Sequence, residues 1–109
     1  MTTKGRRSAR DRRVIIAYLD DGPNLVGIAM NGWQEGHPSW WLNLQEHPWA
    51  VVRLPQQQPV GVRARAAVSH ERERLWRRWT AIDPRLSAHA AVRLTDVPVI
   101  IFEPVEAVS

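Results

Sequence analysis

Apolar residues alternate with the opposite set over Val60, Val62, Ala64, Ala66 and Val68, with Gly61, Arg63, Arg65 and Ala67 between them, which predicts a half-buried strand. A β-branched and aromatic run over residues 12–18 precedes the turn cluster Asp20-Asp21-Gly22-Pro23, so a hairpin is expected there. Its second arm is residues 24–30, closed by Asn31-Gly32, a pair tolerant of positive φ. Residues 51–54 begin another strand, and residues 97–102 form a short apolar one with Pro98 near its start, where a missing N–H is tolerated. The period becomes helical after Ser69, which is placed as an N-cap with Glu71 in the first turn. Leu75, Trp76, Trp79 and Ile82 then recur on one stripe until Pro84. A shorter helix is expected over residues 39–44, with Pro38 at its first position and Pro48 blocking its continuation. Residues 85–95 carry no decisive period. Five strands with two interrupting helices predict a mainly β, α+β fold, an antiparallel barrel or rolled sheet, because parallel strands would need a crossover between each pair.

The 109 residues suit a single domain over 1–109. No apolar run approaches the ~20 residues that span a bilayer. The opening residues lack the apolar core of a secretory signal, so a cytoplasmic protein without a transmembrane segment is expected. With no cysteine, disulfides, thiolate metal sites and thiol nucleophiles are excluded, and redox chemistry would need a cofactor. Residues 1–13 hold six cations and one acid, whereas the rest of the chain is close to neutral. Such a local cluster points to a discrete anionic ligand rather than to nucleic acid, with a solvated basic tail as the bland alternative. His37, His47, His70 and His89 are scattered without ligand spacing, so no metal site is expected. Asp20, Asp21, Asp83 and Asp96 are placed in turns and read as structural.

Two stretches carry chemistry. Residues 2–12, Thr-Thr-Lys-Gly-Arg-Arg-Ser-Ala-Arg-Asp-Arg, set guanidinium groups, a hydroxyl and a glycine turn before a strand, a combination suited to phosphate or carboxylate. The Walker spacing is absent. Residues 31–44 join a glycine loop to a helix start rich in tryptophan, where a flat ring could lie and the helix N-terminus favours negative charge. Trp40, Trp41 and Leu44 can also be simply core, and for any single tryptophan that is the favoured reading.

Together these stretches resemble the deazaflavin-dependent nitroreductase family. Residues 2–8 look like its Thr-Thr-x-Gly-Arg-Lys-Ser loop, residues 37–44 (His-Pro-Ser-Trp-Trp-Leu-Asn-Leu) resemble its His-Pro-x-Trp-Tyr-x-Asn-Leu signature, and residues 97–104 are similar to its closing strand. The resemblance implies a split β-barrel related to flavin mononucleotide (FMN)-binding barrels, shortened at the N-terminus. It implies that coenzyme F420, a deazaflavin, is held by its phosphate and oligoglutamate tail at Arg6, Arg7, Ser8, Arg12 and Arg13. The ring would lie near Ile15, Ile16, Ile28, Ala29, Met30, Asn31, Trp40, Trp41 and Asn43. Ile15 stands where the family usually has proline, Met30 where it has serine and Trp41 where it has tyrosine, so ring contacts are altered. Leu86 and His89 fall where some relatives place substrate-facing tyrosines. The implied activity is hydride transfer from the reduced coenzyme to a quinone, enone or nitro compound; the alternative is a non-catalytic carrier of F420 or FMN. The short first strand leaves a barrel edge that a homodimer could cover.

Overall fold

A computed structural model describes residues 1–7, 10–31, 35–92 and 96–105. In chain order they form β1 (Thr2–Lys4), β2 (Asp11–Arg13), β3 (Leu19–Asp21), β4 (Asn24–Ile28), α1 (Ser39–Glu46), β5 (Trp49–Val52), β6 (Val60–Ala66), α2 (Ser69–Ile82), α3 (Arg85–Val92) and β7 (Val99–Pro104). The strands make one sheet in the order β2-β1-β5-β6-β7-β4-β3, and every pairing is antiparallel. Its two outer strands, β2 and β3, belong to a single stretch of chain. Residues 14–18 therefore join the sheet's edges and roll it into a split barrel, the expected fold class.

That stretch is where sequence and structure differ most. Instead of one strand over residues 12–18, the chain pairs with β1 as far as Val14, whose N–H donates to the Met1 carbonyl at 2.9 Å, and pairs again with β4 only from Leu19. Between them it runs close over Gly27, where an added Cβ would meet Ile16 Cδ1 at 3.5 Å and the Ala17 carbonyl at 3.7 Å. The hairpin turn is also tighter than expected. Asp21 pairs with Asn24, so Asp20 and Asp21 are strand residues and only Gly22 and Pro23 turn. Gly22 has φ +61°, and Pro23 is restricted to negative φ, a combination that fits a II′ turn and excludes I′.

The core has two parts. Inside the barrel, Trp40, Trp41 and Leu44 of α1 pack on Ala29, Ala50, Val62, Ala64, Ile100 and Phe102. Outside it, Leu75 and Trp79 of α2 with Leu86 of α3 cover Val26, Ala67, Val99 and Ile101. Successive β7 residues thus alternate between two buried clusters, which is why Val-Ile-Ile-Phe reads as an unbroken apolar run. Residues 85–92, left open by periodicity, are α3. Ser69 does not cap α2: Val68 occupies that position, Ser69 has φ +54°, and an N-cap needs extended backbone. Ile82, expected on the apolar stripe, is exposed at the helix end. Arg65 of β6 ties α2 and β7 together, donating to both Glu71 oxygens at 2.6 and 3.0 Å and to Glu103 at 3.0 Å. Arg74 reaches both Asp21 oxygens at 2.9 Å and so fastens α2 to the hairpin.

Candidate functional site

A cavity of about 570 Å³ opens between the β1–β2 hairpin and the start of α1, lined by Arg6, Arg7, Arg12, Arg13, Val14, Pro38, Ser39, Trp40 and Asn43. Strand register explains the arginine side. Arg12 faces Thr3 across the hairpin, and Thr3 is buried beneath it, so Arg12 and Val14 share the face that looks towards α1. The loop is closed by the Gly5 N–H donating to the Arg10 carbonyl at 2.8 Å.

Asn43 fixes the loop to the helix. Its buried carboxamide oxygen accepts the Arg6 backbone N–H at 3.2 Å and the Arg6 Nη1 at 2.9 Å, while its Nδ2 donates to Thr3 Oγ1 at 3.5 Å. An asparagine inside an apolar helix face is thereby paired, as burial requires. The helix begins at the cavity wall: Pro38 is the N-cap residue, its carbonyl accepts from the Trp41 and Leu42 N–H groups, and no side chain caps the first turn. The cavity is therefore bordered by four guanidinium groups and an uncapped helix N-terminus, all favouring negative charge. The rest of the lining is Val14, which follows Arg12 and Arg13 on the same segment, with Pro38 and the Trp40 ring, which packs 6.2 Å from Phe102.

Of the residues singled out in the sequence, Arg6, Arg7, Arg12, Arg13, Trp40 and Asn43 converge on this cavity. Ser8 lies outside the described residues. Ile15 and Ile16 line a second cavity of about 250 Å³ beside the first, with Tyr18, Leu25, Leu54 and Phe102 among its walls. Ala29 is buried in the cluster under Trp40, but Ile28 and Met30 pack on the outer cluster, because alternate strand residues take opposite faces. Asn31 donates to the Glu35 carbonyl at 3.3 Å. Trp41 is core rather than cavity wall. Leu86 of α3 is buried in the outer cluster with Leu75 and Trp79 of α2, and neither it nor His89 borders the arginine cavity. The sequence reading missed Val14, Pro38 and Ser39; alternation from Arg12 would have found Val14. Among the described residues no group of histidine and acidic side chains could hold a metal, and no helix is long and apolar enough to cross a membrane.

The family model described as F420H(2)-dependent quinone reductase matches residues 1–104. The Rv3178 protein of Mycobacterium tuberculosis, which carries the name of an F420H(2)-dependent quinone reductase, is 30% identical over 104 residues, 93% of this chain and 84% of its own length. Two solved structures share the fold at TM-score 0.82, each over 94% of this chain. One is a domain-swapped dimer, 26% identical and covered over 76% of its length; the other is an F420-H2 dependent reductase (FDR-A), 25% identical and covered over 90%.

Proposed function

Because the chain belongs to the F420H(2)-dependent quinone reductase family, with coenzyme F420 as its cofactor, we propose that the arginine cavity is the coenzyme site and that a quinone is reduced beside it. The convergence of Arg6, Arg7, Arg12 and Arg13 on one cavity carries this reading. The donor set fits an anionic group joined to a flat ring: planar guanidinium forks suit phosphate and carboxylate, and the Trp40 face with Val14 suits an aromatic surface. When bound, the reduced coenzyme supplies the hydride, and with a proton the quinone becomes a hydroquinone while the coenzyme is oxidised.

The chain's own residues orient and enclose. Asn43 holds Arg6 at the cavity, Arg7, Arg12 and Arg13 add positive potential, and the aromatic and apolar wall keeps water from the reacting face. A homodimer belongs to the same reading, supported by the domain-swapped neighbour and by residues 15–18, which lack a strand partner. So does a cytoplasmic location, where a soluble reduced coenzyme would meet the site.

The test is fluorescence titration with F420 and with flavin mononucleotide, on the native chain and on an Arg6→Ala, Arg7→Ala, Arg12→Ala variant. Losing three charge-assisted contacts should weaken F420 binding roughly a hundredfold or more. Equal affinity in the variant, or preference for flavin mononucleotide, would refute the assignment. Oxidation of reduced F420 by menadione checks the turnover.

A further inference from the structure

Many arginines of this fold are engaged within it. Arg65, Arg74, Arg78 and Arg85 pair with carboxylates, and the Arg63 and Arg72 guanidinium groups lie 5.7 and 5.5 Å from the centres of the Trp49 and Trp76 rings. Arg7, Arg12 and Arg13 have no such partner among the described residues, and all three line the arginine cavity. Arg53 likewise has no acid, carbonyl or ring as a partner there, and it lines the second cavity, of about 250 Å³.

The chain leaves the sheet at this second cavity. β5 ends at Val52, and the Gln57 N–H donates to the Leu54 carbonyl at 3.2 Å, a turn that keeps Arg53, Leu54 and Pro55 at the cavity wall. Ile15, Ile16 and Phe102 extend the apolar lining, and Tyr18 and Arg53 are its polar side chains. No carboxylate lines it; Asp20 borders an adjoining cavity of about 230 Å³ instead. The volume lies below the ~300–1,000 Å³ of sites for drug-sized ligands, so the occupant it suits is a molecule of one or two rings. Val14 lines the arginine cavity and Ile15 the second, so the two cavities meet along the segment that joins the sheet's edges.

We propose that the second cavity receives the electron acceptor and that Arg53 selects acceptors carrying a negative charge, such as a quinone bearing a carboxylate, a sulfonate or an ionised hydroxyl. The acceptor role rests on the reductase reading, whereas recognition of the anion rests on the cavity itself. An apolar wall holds neutral and anionic rings alike, so the side-chain charge on the lining is what discriminates between them. The same charge counters the negative charge that a quinone gains with the hydride before its proton arrives. Arg53 is exposed, so water and salt screen it and the preference is a modest one.

Titration calorimetry with naphthoquinone sulfonate and with menadione tests the proposal. The background is the Arg6→Ala, Arg7→Ala, Arg12→Ala variant, whose arginine cavity keeps one of its four guanidinium groups and so competes less for the anion. Adding Arg53→Met should weaken naphthoquinone sulfonate roughly fivefold and Arg53→Glu roughly tenfold or more, with menadione changed less than roughly twofold. The difference between the two probes should shrink as salt is raised. Leu54→Trp, which fills the cavity, should abolish binding of both. Unchanged urea midpoints in the Arg53 variants show that they remain folded. In the otherwise native chain with reduced F420, Arg53→Met should lower kcat/KM for naphthoquinone sulfonate relative to menadione by the same factor. Equal loss of both probes in Arg53→Met, sulfonate affinity indifferent to Arg53, or binding that survives Leu54→Trp would each overturn the proposal. If menadione fails to oxidise reduced F420 in the native chain, the reductase reading falls and the acceptor role falls with it, whatever the calorimetry shows at Arg53.

Discussion

Asn43→Ala is the substitution that most directly tests how the helix and the arginine loop act together. It removes one acceptor used twice by Arg6 and one donor to Thr3. The Arg6 guanidinium can turn to water, since Arg6 is only half-buried, but its backbone N–H stays in the loop without its partner. One unsatisfied buried group costs about 1–3 kcal/mol, so a loss near 2 kcal/mol in urea unfolding is expected. The effect on the coenzyme is separate. An unfixed Arg6 forfeits most of one charge-assisted contact, worth about 1.5–3 kcal/mol, which is roughly 10- to 100-fold in F420 affinity. Fluorescence titration of Asn43→Ala, Arg6→Ala and the double variant measures the coupling. If Asn43 works by positioning Arg6, the double variant should lose at least about 1 kcal/mol less than the sum of the singles. Strict additivity, or unchanged affinity in Asn43→Ala, would show that the contact is only structural.

Other outcomes follow from the packing and the ion pairs. Phe102, 1% exposed and packed against Trp40 with the rings tilted, should cost about 3–5 kcal/mol when replaced by Ala, read from denaturant unfolding, with F420 binding weakened as α1 loses its support. Ser69→Gly should raise stability by about 0.5–1 kcal/mol in the same assay, because glycine adopts φ +54° without strain and Ser69 makes no capping bond there. Unfolding free energy should fall in acid. The Arg74 hydrogen bond lowers the Asp21 pKa and the Arg65 hydrogen bond lowers that of Glu71, so their contributions are complete above the ordinary values of 3.8 and 4.5 and are lost as pH drops through the lowered ones. Arg65→Met should remove the Glu71 part of that slope, which a pH series of urea melts would reveal.

The strands β4, β6 and β7, the α2 helix and the antiparallel class were legible because each rests on local periodicity, as at Val62 and Ala64 or Leu75 and Trp79, whereas β1 was not expected and β5 runs over Trp49–Val52 rather than from residue 51. Residues 14–18 were not, since their strand-like composition says nothing of where the sheet's two edges meet; the approach to Gly27, remote in pairing though near in sequence, decides it. The same division runs through the site. The arginines and Trp40 were visible as chemical types next to a loop and a helix start, and the cavity unites them. Ile28, Met30 and Leu86 were placed by resemblance alone, and the faces they take depend on the outer helices, which only the assembled barrel arranges. Asn43 is the instructive case: an amide within an apolar helix signals an obligatory partner, but its partner lies 37 residues away in the chain. Burial demands that such a group be paired, and here the pairing orders the cationic loop. One residue thus links the stability of α1 to the placement of charge, so variants that loosen the helix should weaken the coenzyme site even when every arginine remains.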